Sequence, residues 1–324
     1  MSAINKISIP VQNELKNFDK VFSHTMKSKI PLLNIVTSYV LRRKGKQIRP
    51  VLIFLSARLN GEVNDSTYTA ASLAELLHTA TLIHDDVVDE SYQRRGFLSI
   101  NAIWKSKIAV LLGDFLLSKG MLLSVEKKEY DILEIFSGAV KEMIEGELFQ
   151  IQKSRKLNIS EDEYFDIIRK KTAALISACT ESGASSVTRD KDKIQIMKEF
   201  GLKIGIAFQI KDDLFDYENH SLIGKPKGND IQEKKLTLPL IASLYKASNN
   251  EKQDIIKLIN KKSSKRDTYN KVFQFVHQYN GVEYAKEKMY TLQKEALQIL
   301  LKYPESPIRT AMEDLVHYIV ERNK

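Results

Sequence analysis

A chain of 324 residues with 43% apolar and 28% charged residues can bury a sizeable core under a solvated surface, which excludes a disordered or fibrous protein. Only 13 Gly and 7 Pro occur, too few for a turn-rich all-β design, and the single cysteine, Cys179, excludes a disulfide framework or a Cys-based metal site. The net charge, 50 − 41 = +9, admits nucleic acid, a membrane surface or an anionic small molecule as partner.

Apolar residues recur at helical spacing along almost the whole chain, interrupted by polar or Gly/Pro breaks. The opening residues, Met1 to Ser8, lack the apolar core of a signal peptide and predict a soluble, cytoplasmic chain. The break from Arg42 to Arg49 precedes a helix with Pro50 in its first turn. After the break from Asn60 to Ser66, a helix carries Leu73, Leu76, Leu77, Ala80 and Ile83 and runs into Asp85, Asp86 and Asp89. The break from Ser91 to Phe97 holds Arg94 and Arg95. The longest apolar stretch, Ile108 to Leu117, is interrupted by Asp114 and is too short to span a membrane. Ser160 and Glu163 form a capping box after the break from Ser154 to Ser160. Lys170-Lys171-Thr172 is expected to open the next helix, in which Cys179 is a small core residue. Phe200, Ile204, Ala207, Phe208 and Leu214 mark a further helix that carries Asp212, Asp213 and Asp216. The break from Ile223 to Lys235 follows, Pro239 opens another helix, and a last break spans Tyr303 to Pro307. No alternating strand pattern and no linker appears, so the expectation is a single all-α domain over residues 1–324 with around a dozen helices.

The chemistry is concentrated in two repeats of Asp-Asp-x-x-Asp. On a helix, Asp85 and Asp89 lie one above the other, and Asp86 points about 100° away. Asp212, Asp213 and Asp216 repeat the arrangement. Like charges at this spacing destabilise an isolated helix, so two such clusters beside apolar turns imply compensating cations. Oxygen ligands without nearby Cys point to Mg²⁺ or Mn²⁺, and Mg²⁺ lets substrate phosphates and water complete its shell. A di-iron bundle would need paired Glu-x-x-His motifs; Glu75-x-x-His78 has no counterpart, because Thr81, Tyr217, Gln274 and Asp314 precede the other candidate histidines.

Basic groups flank both clusters: Arg42 to Arg49, Arg94-Arg95, Lys170-Lys171-Thr172 and the run from Gly224 to Lys235. Arginine forks and lysine point charges suit phosphate oxygens, so acid, base and metal together indicate a diphosphate. A nucleic-acid binder is disfavoured, because the basic residues track the acids rather than one face.

These residues together resemble the trans-isoprenyl diphosphate synthases, the polyprenyl synthetase family, over nearly the whole chain from Gly45 to the stretch Tyr-Ile-Val-Glu-Arg. His84-Asp-Asp-Val-Val-Asp-Glu-Ser-x-x-Arg-Arg-Gly96 is similar to the family's first aspartate-rich motif, and Gly205-x-x-Phe-Gln-x-x-Asp-Asp-x-x-Asp-Tyr217 to its second. The resemblance implies an all-α class I isoprenoid synthase bundle around a central cavity, a homodimer, and Mg²⁺ as cofactor, up to three ions per site. Asp85, Asp89 and Asp212 would be the main metal ligands, supported by Asp86, Asp213 and Asp216. Arg94, Lys171, Thr172, Gln209, Lys225 and Lys235 would hold the allylic diphosphate. Lys46, Arg49, His78 and Arg95 would bind isopentenyl diphosphate. The chain departs from the family's Gly-Gly-Lys by reading Lys44-Gly45-Lys46, and from Glu-Gly-Lys by reading Glu233-Lys234-Lys235. A terpene cyclase would carry Asn, Ser or Thr in its second motif, and a non-catalytic partner subunit would have lost the aspartates.

The implied reaction begins with ionisation of the allylic diphosphate, with catalytic roles for Asp85, Asp89, Asp212, Lys171 and Lys225. The isopentenyl double bond attacks the cation, a proton leaves, and repetition lengthens the chain. One turn, about 5.4 Å, before Asp85 stand Ala80 and Thr81, both small. Short-product members of the family tend to carry an aromatic there. A long product of six or more isoprene units is therefore expected, about C30 to C45, with a quinone side chain as its use. Leu76, Leu77, Phe136 and Met143 are candidates for the tunnel floor. Release of the product involves at most transient membrane contact.

Overall fold

The computed structural model describes residues 3–42, 45, 47–94, 96–154, 157–217, 231, 235–260 and 265–322. Its helices are α1 (Ala3–Ile7), α2 (Gln12–Thr25), α3 (Pro31–Leu41), α4 (Ile48–Asn60), α5 (Asp65–Val88), α6 (Ile100–Glu126), α7 (Tyr130–Ser154) and α8 (Glu161–Ile168). They continue as α9 (Ala174–Ser185), α10 (Lys191–Phe215), α11 (Leu238–Lys246), α12 (Asn249–Asn260), α13 (Lys265–Gln278), α14 (Gly281–Leu300) and α15 (Pro307–Glu321). The fold is all-α, as the periodicity and the scarcity of Gly and Pro predict.

The chain forms two compact units. One comprises Met1–Val140, Ser177–Glu199 and Tyr303–Met312. At its centre, α4 is buried from Pro50 to Ala57 on every side. Phe18 of α2 stacks on Phe22 at 5.3 Å and meets Phe54 of α4 edge-on at 6.1 Å. The Asn64 side chain caps α5 and forms a capping box with Thr67. Leu73, Leu76, Leu77, Ala80 and Ile83 then bury the apolar stripe of α5. The Ser56 hydroxyl donates to the Thr180 carbonyl at 2.6 Å, so this buried polar atom is satisfied. Cys179 is fully buried, as expected of a small core residue.

The second unit comprises Lys141–Ile176, Phe200–Lys302 and Glu313–Lys324. Here α11 is buried from Leu238 to Leu244, with Pro239 in its first turn. Ser160 and Glu163 form the predicted capping box of α8: Ser160 Oγ accepts from Glu163 N at 3.2 Å, and Glu163 Oε2 accepts from Ser160 N at 3.0 Å.

Two expectations need correction. The break after the first aspartate cluster contains a small antiparallel hairpin, β1 (Gln93–Arg94) and β2 (Phe97–Leu98). Strands of two residues are too short to show alternation in sequence, and the turn is marked only by Gly96, whose φ of 78° favours glycine. Lys170-Lys171-Thr172 does not open a helix. It lies in a π-helical turn, Arg169–Ala173, directly between α8 and α9.

Candidate active site

In the first unit, α5 ends at the first aspartate cluster. Asp89 N–H donates to the Asp85 carbonyl at 2.8 Å, so the helical path continues and the two carboxylates share a face. Asp85 and Asp89 are exposed, whereas Asp86 is buried. In the second unit, the other cluster sits at the end of α10 in the same pattern. Asp213 is buried, and Asp212 and Asp216 are half-exposed. Both clusters occupy the C-terminal end of a helix, where the macrodipole disfavours each anion by about 0.3–1 kcal/mol. Repulsion between the acids adds to that cost. An arrangement disfavoured twice over at two separate helix ends calls for compensating cations.

The loop after Asp89 is fastened within its unit. Tyr39 Oη donates to the Leu98 carbonyl at 2.6 Å, and Ser99 Oγ donates to the Ser91 carbonyl at 2.7 Å. Arg94 lies on β1; its side chain, and Arg95 as a whole, fall outside the described residues.

The π turn organises the second unit's site. Glycines hold it from two helices. A Cβ at Gly146 of α7 would fall 2.8 Å from Lys170 Cβ, and one at Gly205 of α10 would fall 2.6 Å from Ala173 Cα. Along the turn, two of three adjacent cations share one carboxylate and the third is directed elsewhere. Arg169 pairs with Glu142 at 3.0 Å and with Asp166 at 2.8 Å, and Lys170 pairs with Asp166 at 2.9 Å. Partial burial works to raise the Asp166 carboxyl, but its bonds from Arg169 and Lys170 prevail and hold it below the usual range. Lys171 points elsewhere, to Gln150 Oε1 at 2.8 Å and to Glu147.

Thr172 Oγ1 donates to Gln209 Oε1 at 2.7 Å, and Gln209 Nε2 donates to Asp213 Oδ1 at 2.9 Å. Tyr164 Oη donates to the other Asp213 oxygen at 2.7 Å. Asp213 thus sits beneath the cluster as a hydrogen-bonded anchor. A pocket of about 100 Å³ opens here, lined by Lys171, Thr172, Gln209, Asp213 and Lys235 together with apolar Ile159, Ile167, Ile168 and Leu236. Four of the six residues predicted for the allylic diphosphate therefore line one pocket. Of the ambiguous pair Lys234 and Lys235, Lys235 lines it; Lys234 lies outside the described residues, as does Lys225.

Of the residues predicted for isopentenyl diphosphate, Arg49 in the first turn of α4 and His78 on α5 are half-buried. Lys46 lies outside the described residues. Ala80 is fully buried within its unit, while Thr81 is half-buried and its Oγ1 donates to the His78 carbonyl at 2.9 Å.

Three residues around the second cluster were not singled out from the sequence. Tyr164 looks like a core aromatic behind a capping box. Tyr269 Oη donates to the Asp216 carbonyl at 3.0 Å, and burial, then the Asp216 charge, raise its phenol above the ordinary value. Arg322 Nη2 donates to Asp212 Oδ1 at 2.7 Å. Its only sequence signal was its place in the stretch Tyr-Ile-Val-Glu-Arg that closes the resemblance. Among the described residues, no three His, Cys, Asp or Glu side chains converge into a cage that would hold a metal unaided.

Fold and site define a class I helical enzyme for a metal-bound anionic substrate. The family model for polyprenyl synthetase matches residues 30–276. The all-trans-nonaprenyl-diphosphate synthase (geranyl-diphosphate specific) of Rhodobacter capsulatus is 34% identical over 318 residues, 98% of this chain and 97% of that protein. A polyprenyl synthase from Caulobacter crescentus, solved with calcium and isoprenyl diphosphate, superposes with a TM-score of 0.90 at 30% identity, covering 99% of this chain and 98% of its own. A geranylgeranyl pyrophosphate synthase from Bacteroides thetaiotaomicron superposes with a TM-score of 0.84 at 36% identity, covering 99% of this chain and all of its own. The chain belongs to the polyprenyl synthetase family and is a prenyltransferase.

Proposed function

We propose that this enzyme condenses isopentenyl diphosphate with an allylic diphosphate, farnesyl or geranylgeranyl, into a long all-trans polyprenyl diphosphate of about C30 to C45 for a quinone side chain. The observation that carries the substrate class is the pocket at the π turn, where Lys171, Lys235, Thr172 and Gln209 converge beside Asp213. Two cations and several neutral polar side chains, Thr172 and Gln209 among them, face four apolar residues across this pocket, a mixed lining that suits a diphosphate joined to a hydrocarbon tail. Names of relatives span both short and long products, so product length rests on Ala80 and Thr81, which put no bulk one turn before Asp85.

Lys171 and Lys235 donate to the oxygens of the departing diphosphate, and Thr172 and Gln209 orient it. Asp85 and Asp89 in the first unit and half-exposed Asp212 and Asp216 in the second offer carboxylates for divalent ions, with buried Asp86 and Asp213 each supporting its own cluster. Mg²⁺, with Mn²⁺ as a substitute, supplies Lewis-acid stabilisation of the leaving group when bound. Ile159, Ile167, Ile168 and Leu236 keep water from the allylic cation. The enzyme works as a cytoplasmic homodimer with at most transient membrane contact at product release.

Chromatography of products from farnesyl and isopentenyl diphosphates with Mg²⁺ tests the reading. A ladder ending at six or more isoprene units is expected; a dominant C15 or C20 product would refute it. Asp85→Ala and Asp212→Ala are each expected to lose most turnover at saturating Mg²⁺, and wild-type rates would remove the metal assignment.

A further inference from the structure

Arg322, just past the end of α15, is held on every side by its own unit. Its Nη2 donates to Asp212 Oδ1 at 2.7 Å and to the Phe208 carbonyl at 3.1 Å. Its Nε donates to the Ile319 carbonyl at 3.3 Å. The guanidinium carbon lies 3.9 Å from the Phe208 ring centroid and 5.3 Å from that of Phe215. The Arg322 side chain is 9% exposed, whereas that of Asp212 is 40% exposed. A guanidinium so restrained by carbonyls, rings and a carboxylate is a fixed part of the structure rather than a loose counter-ion.

We propose that Arg322 is a positioning residue that fixes the Asp212 carboxylate for a divalent ion. The inference rests on Asp212 being a metal ligand. A carboxylate oxygen has more than one acceptor site, so donation to Oδ1 does not exhaust Asp212. Partners that hold a ligating carboxylate typically change metal affinity about 10- to 100-fold when removed. The opposing effect has the opposite sign: a cation beside a ligand repels the metal, and its removal alone would tighten binding. The built cradle favours positioning over repulsion.

The test is Mn²⁺ binding, read by electron paramagnetic resonance of the free ion, with saturating inorganic diphosphate present. Arg322→Met keeps a stem over the two rings and removes the charge and the fork. It is expected to weaken Mn²⁺ binding about tenfold or more. Arg322→Lys, which restores charge without the planar fork, is expected to recover only part of the loss. In an Asp212→Asn background, Arg322→Met is expected to add nothing further, because its effect passes through Asp212. A melting profile of each variant removes unfolded protein from the comparison. Unchanged or tighter binding in Arg322→Met, while Asp212→Asn loses it, would overturn the proposal and leave the ligand assignment standing. If Asp212→Asn also binds normally, the ligand assignment itself fails.

Discussion

Asp213 shows how far a single residue's surroundings decide its part. It is as acidic as Asp212 beside it, yet both its oxygens are taken by neutral donors, Tyr164 and Gln209, in a buried setting. Tyr164→Phe leaves one of those oxygens without that donor, which costs about 1–3 kcal/mol of stability for a buried acceptor. Because Asp213 also anchors Gln209, kcat/KM for the allylic substrate is expected to fall about tenfold, measured at matched folded fraction. Wild-type kinetics in that variant would show that the tyrosine serves packing alone. Cys179 gives a plainer expectation. Burial pushes its thiol up to about 12, outweighing the neighbouring Arg49 charge. Native protein is therefore expected to resist a thiol-alkylating reagent from pH 7 to 9, and to react once unfolded. At this scale the acids were legible because acids at four-residue spacing contradict helix propensity, so their presence demands a cause. Tyr164 and Arg322 were not, since an aromatic at apolar spacing or a basic residue after a helix is what an ordinary helix end shows.

Among elements, the π turn shows most clearly what composition hides. The sequence places cations at Lys170 and Lys171 and suggests a helix start there, because polar residues interrupt an apolar run. A π turn leaves no compositional mark, since its residues follow the same apolar and polar rules as α-helix. Its trace is the pair Gly146 and Gly205, each needed because another backbone passes too close for a Cβ. Gly146→Ala is expected to set a methyl 2.9 Å from the Lys171 nitrogen and force the turn to move. Overpacking of this kind costs about 1–3 kcal/mol. The kinetic signature is a KM for the allylic diphosphate that rises several-fold more than the KM for isopentenyl diphosphate. Equal changes in both constants would assign Gly146 to general packing and not to the pocket.

For the whole molecule, the all-α class and most helix breaks were legible from periodicity. The two compact units were not, because four of their five boundaries fall inside α7, α9, α10 and α15, and the fifth, at the break that begins with Tyr303, looks like any other helix break. Nor was the role of α6. It breaks at Lys105, where φ is 71°, but contains a stretch apolar and long enough to cross a membrane, more than the short stretch read from sequence. Yet one side packs along α5, burying Ala109, Leu112 and Leu116. The opposite side exposes Val110 and Leu111, then Met121, Leu122 and Val125, with exposed Asp114 and Ser118 on the same face between the two groups, and with Leu111 54% and Leu122 51% exposed. Two such apolar groups on one helix face mark a surface suited to being covered. In the proposed homodimer a second copy would cover it, since a self-complementary surface pairs with itself about a two-fold axis. Wild-type protein is expected to elute with light-scattering mass of two chains at micromolar concentration. Leu111→Glu with Leu122→Glu is expected to give one chain, because two charges on each copy would be buried against each other. Flotation of the wild type with anionic lipid vesicles, and a monomer without them, would instead assign this face to a lipid surface.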